Sequence, residues 1–418
     1  MIIWGIEMVK EHYGVKSLIC VIDKENIDMD YVEGESCIRL TGFFREAIHE
    51  DTEDIETFTV DIQRDMFFNL KSRKGNSYIP YHIKKFYRGE CYILLKFHEV
   101  RRSQSYYYRT YVLPEENTAM AQSPFYFEID TLAFVHQYNN IIHNNQTIFN
   151  FLFRCPSLPA GNYEFSLLGN VTLHSYHVGQ GMCSLLHNDS EGFLLDCGAG
   201  TPIKRLGYAS LTSNKLIADL NGLKKVSMIL SHFDSDHHRL LSWDSNILAK
   251  IDNLYVPANM PAELVKDVNI YPIVKPCISI TIYFNNGKLQ AYRTEPTCTE
   301  KTKNNHALIS VIDSNKETVL LPADYVYSKI VTDKNLDIAR LYCKSYSYVI
   351  VPHHGDEASS IGVFKSRNVF AKAFFSAGNH ATYRHPRKAS LDAHSAAKYE
   401  IIADNEYAQI DYSVTLNL

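Results

Sequence analysis

The sequence lacks the cysteine spacing that a thiolate zinc site or a disulfide framework requires. Its nine cysteines are odd in number and widely scattered, and no two of them form a Cys-x-x-Cys pair. Disulfide-rich secreted domains and structural zinc sites both depend on such clustered cysteines. We therefore expect buried, reduced thiols and a cytoplasmic protein.

Long apolar runs and a strong excess of one charge are also missing. No stretch approaches the ~18 consecutive apolar residues of a membrane span, and Glu7 interrupts the N-terminal segment, which does not resemble a signal peptide. We expect no membrane association. The net charge of -5 argues against a surface dominated by nonspecific phosphate binding, although a local basic cleft is compatible with it.

The composition is that of an ordinary globular protein, with 45% hydrophobic residues over 418 positions, and this length suits about two domains. Residues 1–168 show short β-rich segments between turns, which predicts a β-sandwich or barrel. This domain could position substrate, mediate dimerisation or dock a protein partner. The predicted strands are Ser17–Asp23, Thr57–Ile62, Tyr92–His98, Tyr106–Leu113 and Phe125–Ile129.

Residues 169–418 alternate apolar strands with helix-compatible segments, which predicts an α/β architecture. Several of these strands end at a residue whose side chain can bind a metal ion or take part in catalysis. Binding sites gather at strand ends in open α/β sheets because the loops there converge on one crevice. The predicted strands are Val171–His177, Phe193–Asp196, Val226–Ser231, Ala307–Ile312, Val319–Leu321 and Tyr348–Val351.

The strongest candidate site directly follows the apolar segment that begins at Val226. Within six residues the chain places His232, Asp234, Asp236 and His237. Mixed imidazole and carboxylate ligands suit zinc, manganese or iron better than calcium. The structural alternative is a solvated turn that caps a helix, with Asp234 or Ser235 as the N-cap.

Three further strand ends carry residues of the same types. Asp196 and Asp324 each end an apolar strand, and either could instead be a turn-forming aspartate. A third strand is followed by the adjacent pair His353 and His354. One member of such a pair is often packed in the core.

This ordered series resembles the metallo-β-lactamase superfamily, and within it the soluble hydrolase domain of competence DNA-uptake proteins of the ComEC type. The resemblance covers roughly residues 170 to 390. It implies an α/β fold, the αββα metallo-β-lactamase sandwich, preceded by a β-rich N-terminal domain. The matching elements are His177-Val-Gly-Gln-Gly181, Asp196, the His-x-Asp-x-Asp-His run His232 to His237, Asn304 to Ile309, Ala323-Asp324, Pro352-His-His-Gly355, and Ser376-Ala-Gly378 with Tyr383-Arg-His-Pro386.

The resemblance implies two divalent metal ions, zinc or manganese, and a set of residues to hold them. Asp324 would bridge the two ions, and Asp236, Asp324 and His385 would be the catalytic residues. Asp196 would brace the ligand loop through hydrogen bonds, and His353 would support the ligands or join them. His306 is either a further ligand or a surface residue. The implied metal ligands are His232, Asp234, Asp236, His237, Asp324 and His354.

The chain departs from the family pattern around these ligands. His177 replaces an aspartate, Arg239 lies where the family has glycine, and Arg384 replaces a glycine beside His385. Ala381 replaces an asparagine. Because the ligand types are kept while their surroundings change, the sequence supports the metal pair better than any particular substrate.

The favoured reaction is hydrolysis of a phosphodiester by water that two metal ions activate, with DNA or another nucleic acid as the substrate that the resemblance implies. Arg239, Tyr383 and Arg384 are candidate substrate contacts, and His385 could contact the phosphate or protonate the leaving oxygen. The segment from Tyr383 to Pro386 could instead be a loop anchor.

One alternative is hydrolysis of a small phosphodiester, such as a nucleotide signal or choline phosphate, or of an ester. Another is a metal-stabilised module that binds a partner without turnover. Without a membrane channel, such a nuclease could serve phage defence rather than DNA uptake.

Overall fold

The computed structural model describes nine stretches of the chain, and everything below concerns these residues. The described ranges are 14–47, 55–72, 91–114, 123–136, 160–258, 267–297, 303–380, 383–403 and 407–418.

The first six strands form a closed antiparallel barrel in the order β1-β2-β3-β5-β6-β4. Alternate side chains of the strands fill its interior, among them Leu18, Leu40 and Phe97. The predicted β-rich N-terminal region is confirmed, although β2 was absent from the sequence-based prediction. The elements are β1 (Lys16–Asp28), β2 (Ser36–Phe44), β3 (Phe58–Gln63), α1 (Arg64–Ser72), β4 (Cys91–Glu99), β5 (Tyr106–Arg109) and β6 (Phe125–His136).

Fourteen of the remaining strands form one sheet. In its first half they are β7 (Gly161–Leu167), β8 (Thr172–Tyr176), β9 (Cys183–His187), β10 (Glu191–Cys197), β11 (Lys225–Ile229), β12 (Ile251–Pro257) and β13 (Val274–Phe284). In its second half they are β14 (Gly287–Arg293), β15 (Leu308–Ser314), β16 (Thr318–Leu321), β18 (Tyr348–Ile350), β20 (Lys372–Phe375), β21 (Glu400–Ala403) and β22 (Tyr412–Asn417). The short strands β17 (Ser345–Tyr346) and β19 (Lys365–Ser366) pair separately.

Short helices connect the strands of the large sheet. In the first half they are α2 (Arg205–Tyr208), α3 (Lys215–Gly222), α4 (Arg239–Trp243) and α5 (Ser245–Lys250). In the second half they are α6 (Tyr327–Val331), α7 (Leu336–Ala339) and α8 (Lys388–Ala396). No helix among the described residues combines the length and the apolar character needed to cross a membrane.

The large sheet folds over on itself, so that its two halves face each other. On β10, Leu194 points to one side and packs with Leu220 of α3 and Leu241 of α4. Its neighbours Phe193 and Leu195 point to the other side, into a core shared with the second half of the sheet. This alternation is the two-residue period of a strand that is buried on both faces.

The second half of the sheet shows the same alternation. Leu308 and Ile312 of β15 pack in the shared core between the two halves. Ile309 and Val311 of the same strand pack on the opposite side with Ile330 of α6. The four layers therefore follow the order helix, sheet, sheet, helix, and the predicted αββα sandwich is confirmed.

The strand β7 lies just before residue 168, where the sequence analysis ends the first domain. It pairs in parallel with β13 and so belongs to the large sheet. The barrel and the sandwich are also joined by the bridge between Ile55 and Asp267, whose carboxylate accepts hydrogen bonds from Thr57 N at 2.9 Å and Thr57 Oγ1 at 2.6 Å. The division of the chain at residues 168 and 169 stays a prediction.

Six cysteines are free thiols among the side chains that the structure describes. Cys343 is exposed and the others are buried. The buried ones are Cys20, Cys37, Cys183, Cys197 and Cys277.

Candidate metal centre

Four strand ends bring the predicted ligands to one place. The strands β10 and β11 are parallel neighbours in one half of the sandwich, and β16 and β18 are parallel neighbours in the other half. Asp196 lies near the end of β10, and the segment 231–238, which we call the metal loop, follows β11. Asp324 follows β16, and His353 and His354 follow β18. The edge at which parallel strands end therefore carries the site, as the sequence analysis expected.

The backbone adopts the left-handed conformation at several of these strand ends. The φ angles are 59° at Asp196, 51° at Ala323, 48° at His353 and 55° at His354. Residues other than glycine rarely adopt this conformation, and it persists where surrounding structure enforces it, which is commonest at functional sites. Here the left-handed conformation turns the backbone sharply at each strand end, so that the side chains there face the centre.

Gly198 allows the metal loop to approach β10 closely. A Cβ atom at this position would lie 1.6 Å from the carbonyl oxygen of Asp236. The same carbonyl accepts a hydrogen bond from the backbone N–H of Met182 at 3.1 Å. The backbone of the loop is therefore fixed from two sides, which holds the Asp236 side chain in place.

Hydrogen bonds orient the buried His237 ring. Its Nδ1 lies 2.8 Å from Asp196 Oδ2, which can only accept, so Nδ1 carries a proton and donates it. Its Nε2 lies 3.2 Å from Asp324 Oδ1 in the centre. Burial alone would lower the pKa of His237, but the carboxylates of Asp324 and Asp196 hold that pKa well above its usual range.

His354 and His232 present their Nε2 atoms to the same centre. His354 Nδ1 donates to the carbonyl oxygen of Ser376 at 2.7 Å, and His232 Nδ1 lies 3.1 Å from Ser231 Oγ. The Ser231 hydroxyl itself donates to Asp196 Oδ2 at 2.8 Å, so it accepts from the histidine. Both Nε2 atoms are buried and have no hydrogen-bond partner among the described residues.

Two buried carboxylates face these imidazoles. Asp324 Oδ1 lies 3.2 Å from His237 Nε2 and 3.6 Å from His354 Nε2, while Asp324 Oδ2 lies 3.6 Å from His232 Nε2. Asp236 Oδ2 lies 3.3 Å from His354 Nε2. Burial would raise the pKa of Asp324, but the surrounding histidines, His353 first, hold it well below its usual range.

This donor set fits a metal ion. In neutral imidazoles whose Nδ1 atoms carry the proton, Nε2 is an acceptor, and it faces carboxylate oxygens that are acceptors as well. A cation between the facing atoms would satisfy both sides, and imidazole with carboxylate is a common ligand set for zinc and related divalent ions. Two groups have ligand atoms that all lie within 4.8 Å of one another: His232, His237 and Asp324, and Asp236, His237 and His354.

Other predicted residues lie around this centre. Asp196 accepts hydrogen bonds from Ser231 and from His237, and its bracing role stays a prediction. Asp234 Oδ2 lies 3.6 Å from His232 Nε2. His353 lies with Nε2 3.7 Å from Asp324 Oδ2 and Nδ1 3.0 Å from Asp356 Oδ2. Burial would lower the pKa of His353, but these two carboxylates raise it to about 9.

His306 is not a member of either ligand group found among the described residues. It is half-buried and follows the 3-10 turn Lys303–Asn305. Its neighbour in that turn, Asn304, does contact the centre, because its side-chain Nδ2 donates to Asp324 Oδ2 at 3.2 Å. The sequence analysis noted Asn304 only as part of a strand motif and assigned it no role.

The predicted substrate contacts divide into two sets. The His385 ring is buried and stacks at 6.3 Å from the His354 ring, and Tyr383 stacks at 5.9 Å from His385. Arg239 donates to Ala199 O and to Ser235 Oγ, each at 3.0 Å, beside the metal loop. Arg384 is exposed and does not line the cleft beside the site, whereas Tyr383 and Arg239 do.

The sequence analysis missed a lysine from the barrel. Lys24 of β1 reaches across to the metal loop, where its Nζ lies 2.5 Å from Asp236 Oδ1 and 3.8 Å from Asp234 Oδ2. In the sequence it follows Ile22 and Asp23 in an alternating strand, which is the usual pattern of a solvent-facing lysine. Only the packing of the barrel against the sandwich reveals the contact.

No protein-family model and no curated protein matches this chain. Among solved structures, it is similar to a possible metal-dependent hydrolase from Veillonella parvula, at 16% identity and a TM-score of 0.35 over 59% of this chain and 99% of that one. It is also similar to the metallo-beta-lactamase fold protein YhfI from Bacillus subtilis, at 13% identity and a TM-score of 0.32 over 60% of this chain and 100% of that one. A third likeness is to a mutant of the β-hydroxylase CmlA, at 11% identity and a TM-score of 0.34 over 78% of this chain and 69% of that one.

Proposed function

We propose that this chain is a metal-dependent phosphodiesterase of the metallo-β-lactamase superfamily, with nucleic acid as its substrate class. The observation that carries the proposal is the buried centre in which His232, His237 and His354 turn their Nε2 atoms toward Asp236 and Asp324. A structural polar cluster would pair donors with acceptors. Here the buried Nε2 atoms of His232 and His354 have no hydrogen-bond partner among the described residues and lie beside carboxylates, which is the arrangement of a site that holds cations.

The two ligand groups support two ions, zinc or manganese. One group comprises His232, His237 and Asp324, and the other comprises Asp236, His237 and His354. Asp324 is suited to the bridging role because one of its oxygens faces His237 and His354 while the other faces His232. Asp234 lies at the edge of the first group, where it would complete the coordination.

When bound, two such ions would lower the pKa of water toward neutrality and neutralise charge on the phosphoryl oxygens. The residues of the chain have separate tasks. Asp196 and the Ser376 carbonyl fix the rings of His237 and His354, so that the ligands do not reorganise during turnover. Burial and the neighbouring His354 lower the pKa of His385 to about 3. Its ring is then neutral at pH 7, which suits a hydrogen bond to the substrate better than proton donation.

The nucleic-acid proposal rests on the resemblance to the ComEC-type domain and on the basic residues beside the centre. Lys24 and Arg239 line the cleft that opens at Asp236, together with the aromatic ring of Tyr383. A basic groove with an aromatic platform is the usual way to bind a single strand without sequence preference. We therefore expect single-stranded ends to be better substrates than duplex DNA.

A small phosphodiester is the second candidate. Lys24, Arg205 and Arg239 line one cleft beside the centre, so charged donors converge on a single place. Convergent polar groups in one cleft are typical of sites for small ligands, such as a nucleotide signal.

The proposal is tested with purified protein that has been stripped and then reloaded with zinc or manganese. The substrates are labelled single-stranded and duplex DNA and bis(p-nitrophenyl) phosphate. We expect hydrolysis by the wild type, and loss of both metal and activity in Asp324→Ala and His232→Ala, because each removes a buried ligand. Asp392→Ala, which changes an exposed carboxylate of α8, is the matched control and should behave as the wild type.

Two outcomes would contradict the proposal in different ways. If Asp324→Ala and His232→Ala retain wild-type metal content and rate, the residues are not the ligands. If the wild type binds metal but hydrolyses neither DNA nor the small diester, the site is not a phosphodiesterase.

A further inference from the structure

A cleft between the barrel and the sandwich opens directly beside the metal centre. Its walls come from both parts of the molecule, with Lys24 from β1 of the barrel and Asp236 from the metal loop. Arg205 at the start of α2 and Arg239 at the start of α4 complete the opposite wall. The barrel therefore forms part of the candidate active site, and positioning of substrate is one of the roles that the sequence left open for it.

The cations in this cleft exceed the carboxylates that are available to them. Lys24, Lys204, Arg205 and Arg239 line the cleft, together with Asp28, Asp30 and Asp236. Asp30 already forms an ion pair with Arg39 inside the barrel, with 2.9 Å between Asp30 Oδ1 and Arg39 Nη2. Asp236 faces His354 as a proposed metal ligand. Lys24 pairs with Asp236 at 2.5 Å and Lys204 pairs with Asp28 at 3.5 Å, which leaves the two arginines as the cations in excess.

The two guanidinium groups retain unused hydrogen-bonding capacity. Arg239 donates only to neutral oxygen atoms, and no carboxylate pairs with it among the described residues. Arg205 approaches Asp30 only to 3.9 Å, and its Nη1 is buried without a hydrogen-bond partner in the described part of the chain. Arg239 Nε is likewise buried without a hydrogen-bond partner among the described residues. Buried donors without partners cost free energy, which a bound anion would recover.

Lys24 adds a third cation from a third direction. Its ammonium lies at Asp236 and Asp234, at the edge of the metal centre nearest the barrel. The side chain is only 16% exposed, so its charge lies in an environment of low dielectric constant and is poorly screened by water. A ligand in the cleft would therefore meet Lys24 on the barrel side and the two arginines on the sandwich side.

We propose that this cleft binds a phosphoryl group of the substrate, held by Lys24, Arg205 and Arg239. The inference rests on the proposed function and names the feature of the substrate that the enzyme recognises. Guanidinium forks match phosphoryl oxygens in pairs. Donors that arrive from three separate elements suit the tetrahedral phosphoryl group better than the planar carboxylate.

The test measures binding without turnover, on metal-free protein, by isothermal titration calorimetry. The probes are thymidine 5′-monophosphate, thymidine, inorganic phosphate and acetate. We expect the monophosphate and phosphate to bind and compete with each other, and thymidine and acetate to bind at least tenfold more weakly, because a charge-assisted hydrogen bond contributes about 1.5 to 3 kcal/mol.

Three variants and one control locate the binding site. Arg239→Met and Arg205→Met should each weaken monophosphate binding by about tenfold or more. Arg239→Lys should restore only part of the affinity, because the charge returns without the fork. The control is Lys388→Met, which removes an exposed lysine of α8 and should leave binding unchanged. If Arg205→Met fails to fold, Arg239→Met decides the question alone.

The outcomes separate this proposal from the proposed function. Equal monophosphate affinity in the wild type and Arg239→Met would overturn the cleft proposal, even if the protein hydrolyses DNA. Acetate competing as well as phosphate would also overturn it, in favour of a carboxylate ligand. Arginine-dependent monophosphate binding in a protein without hydrolytic activity would support the cleft proposal and contradict only the phosphodiesterase.

Discussion

The barrel and the sandwich each contain a buried cluster of charged side chains, and the two clusters are completed differently. In the barrel, Arg39 donates to Asp61 with two bonds of 2.7 Å and pairs with Asp30 at 2.9 Å. Tyr108 donates to the other oxygen of Asp30, and Tyr106 donates to Asp61 Oδ2, which also accepts from Arg39. Every strong acceptor there has a donor from the protein.

The sandwich cluster has the opposite balance. His232, His237 and His354 turn their Nε2 atoms toward Asp236 and Asp324, and two of the Nε2 atoms have no partner among the described residues. Burial of charge is therefore not what distinguishes a functional cluster in this molecule. The distinction is whether the protein itself supplies the opposite charge, since a buried cluster that the protein leaves incomplete must obtain a cation from outside.

The largest expected effect comes from breaking the balanced cluster. Arg39→Met leaves Asp30 and Asp61 buried with fewer donors, so we expect the free energy of unfolding to fall by about 3 to 5 kcal/mol. The measurement is urea denaturation of metal-free protein, followed by circular dichroism. Metal content should stay at the wild-type value. A loss of less than about 1 kcal/mol would show that Arg39 does not hold the barrel cluster together.

The second largest effect concerns the stabilisation of the sandwich cluster by zinc. Saturating zinc should stabilise the wild type by about 3 kcal/mol when the free ion is near a hundred times its dissociation constant. Asp324→Asn should lose most of that gain. Its metal-free stability should also fall, because the variant removes a carboxylate that the neighbouring histidines stabilise.

The matched control for this experiment lies in the barrel. Asp61→Asn should lower stability with and without zinc, because it removes the fully bonded partner of Arg39. Thermal unfolding at several zinc concentrations measures both variants. The comparison fails if the zinc-dependent stabilisation is the same in Asp324→Asn as in the wild type.

The sandwich could be predicted from the sequence because residues of metal-ligand type occur there at the ends of apolar strands. Asp196, Asp324 and His354 each follow an apolar strand, so strand period and residue type together placed them at one edge. The barrel cluster was not predicted, because Arg39, Asp61 and Asp30 lie on strands or turns where alternating polar residues ordinarily face water. Lys24 was missed for the same reason, since its contact depends on how the barrel packs against the large sheet.

The smallest effect concerns the backbone beneath the metal loop. Gly198→Ala would place a Cβ atom against the Asp236 carbonyl oxygen, so the loop must shift. We expect a loss of about 1 to 3 kcal/mol in stability and a fall of about tenfold or more in zinc affinity. Gly207→Ala in α2 is the control, because no atom lies within 4 Å of the added Cβ. Equal zinc affinity in both variants would show that the loop position does not set the ligand geometry.

X-ray absorption spectroscopy of zinc-loaded protein tests the ligand assignment most directly. With His232, His237 and His354 as ligands, the spectrum should show imidazole scattering with zinc to nitrogen distances of about 2.0 Å. The imidazole component should diminish in His354→Ala, and Lys388→Met should match the wild type. A zinc environment of oxygen atoms alone, or one unchanged by His354→Ala, would contradict the assignment of this buried centre as a metal site.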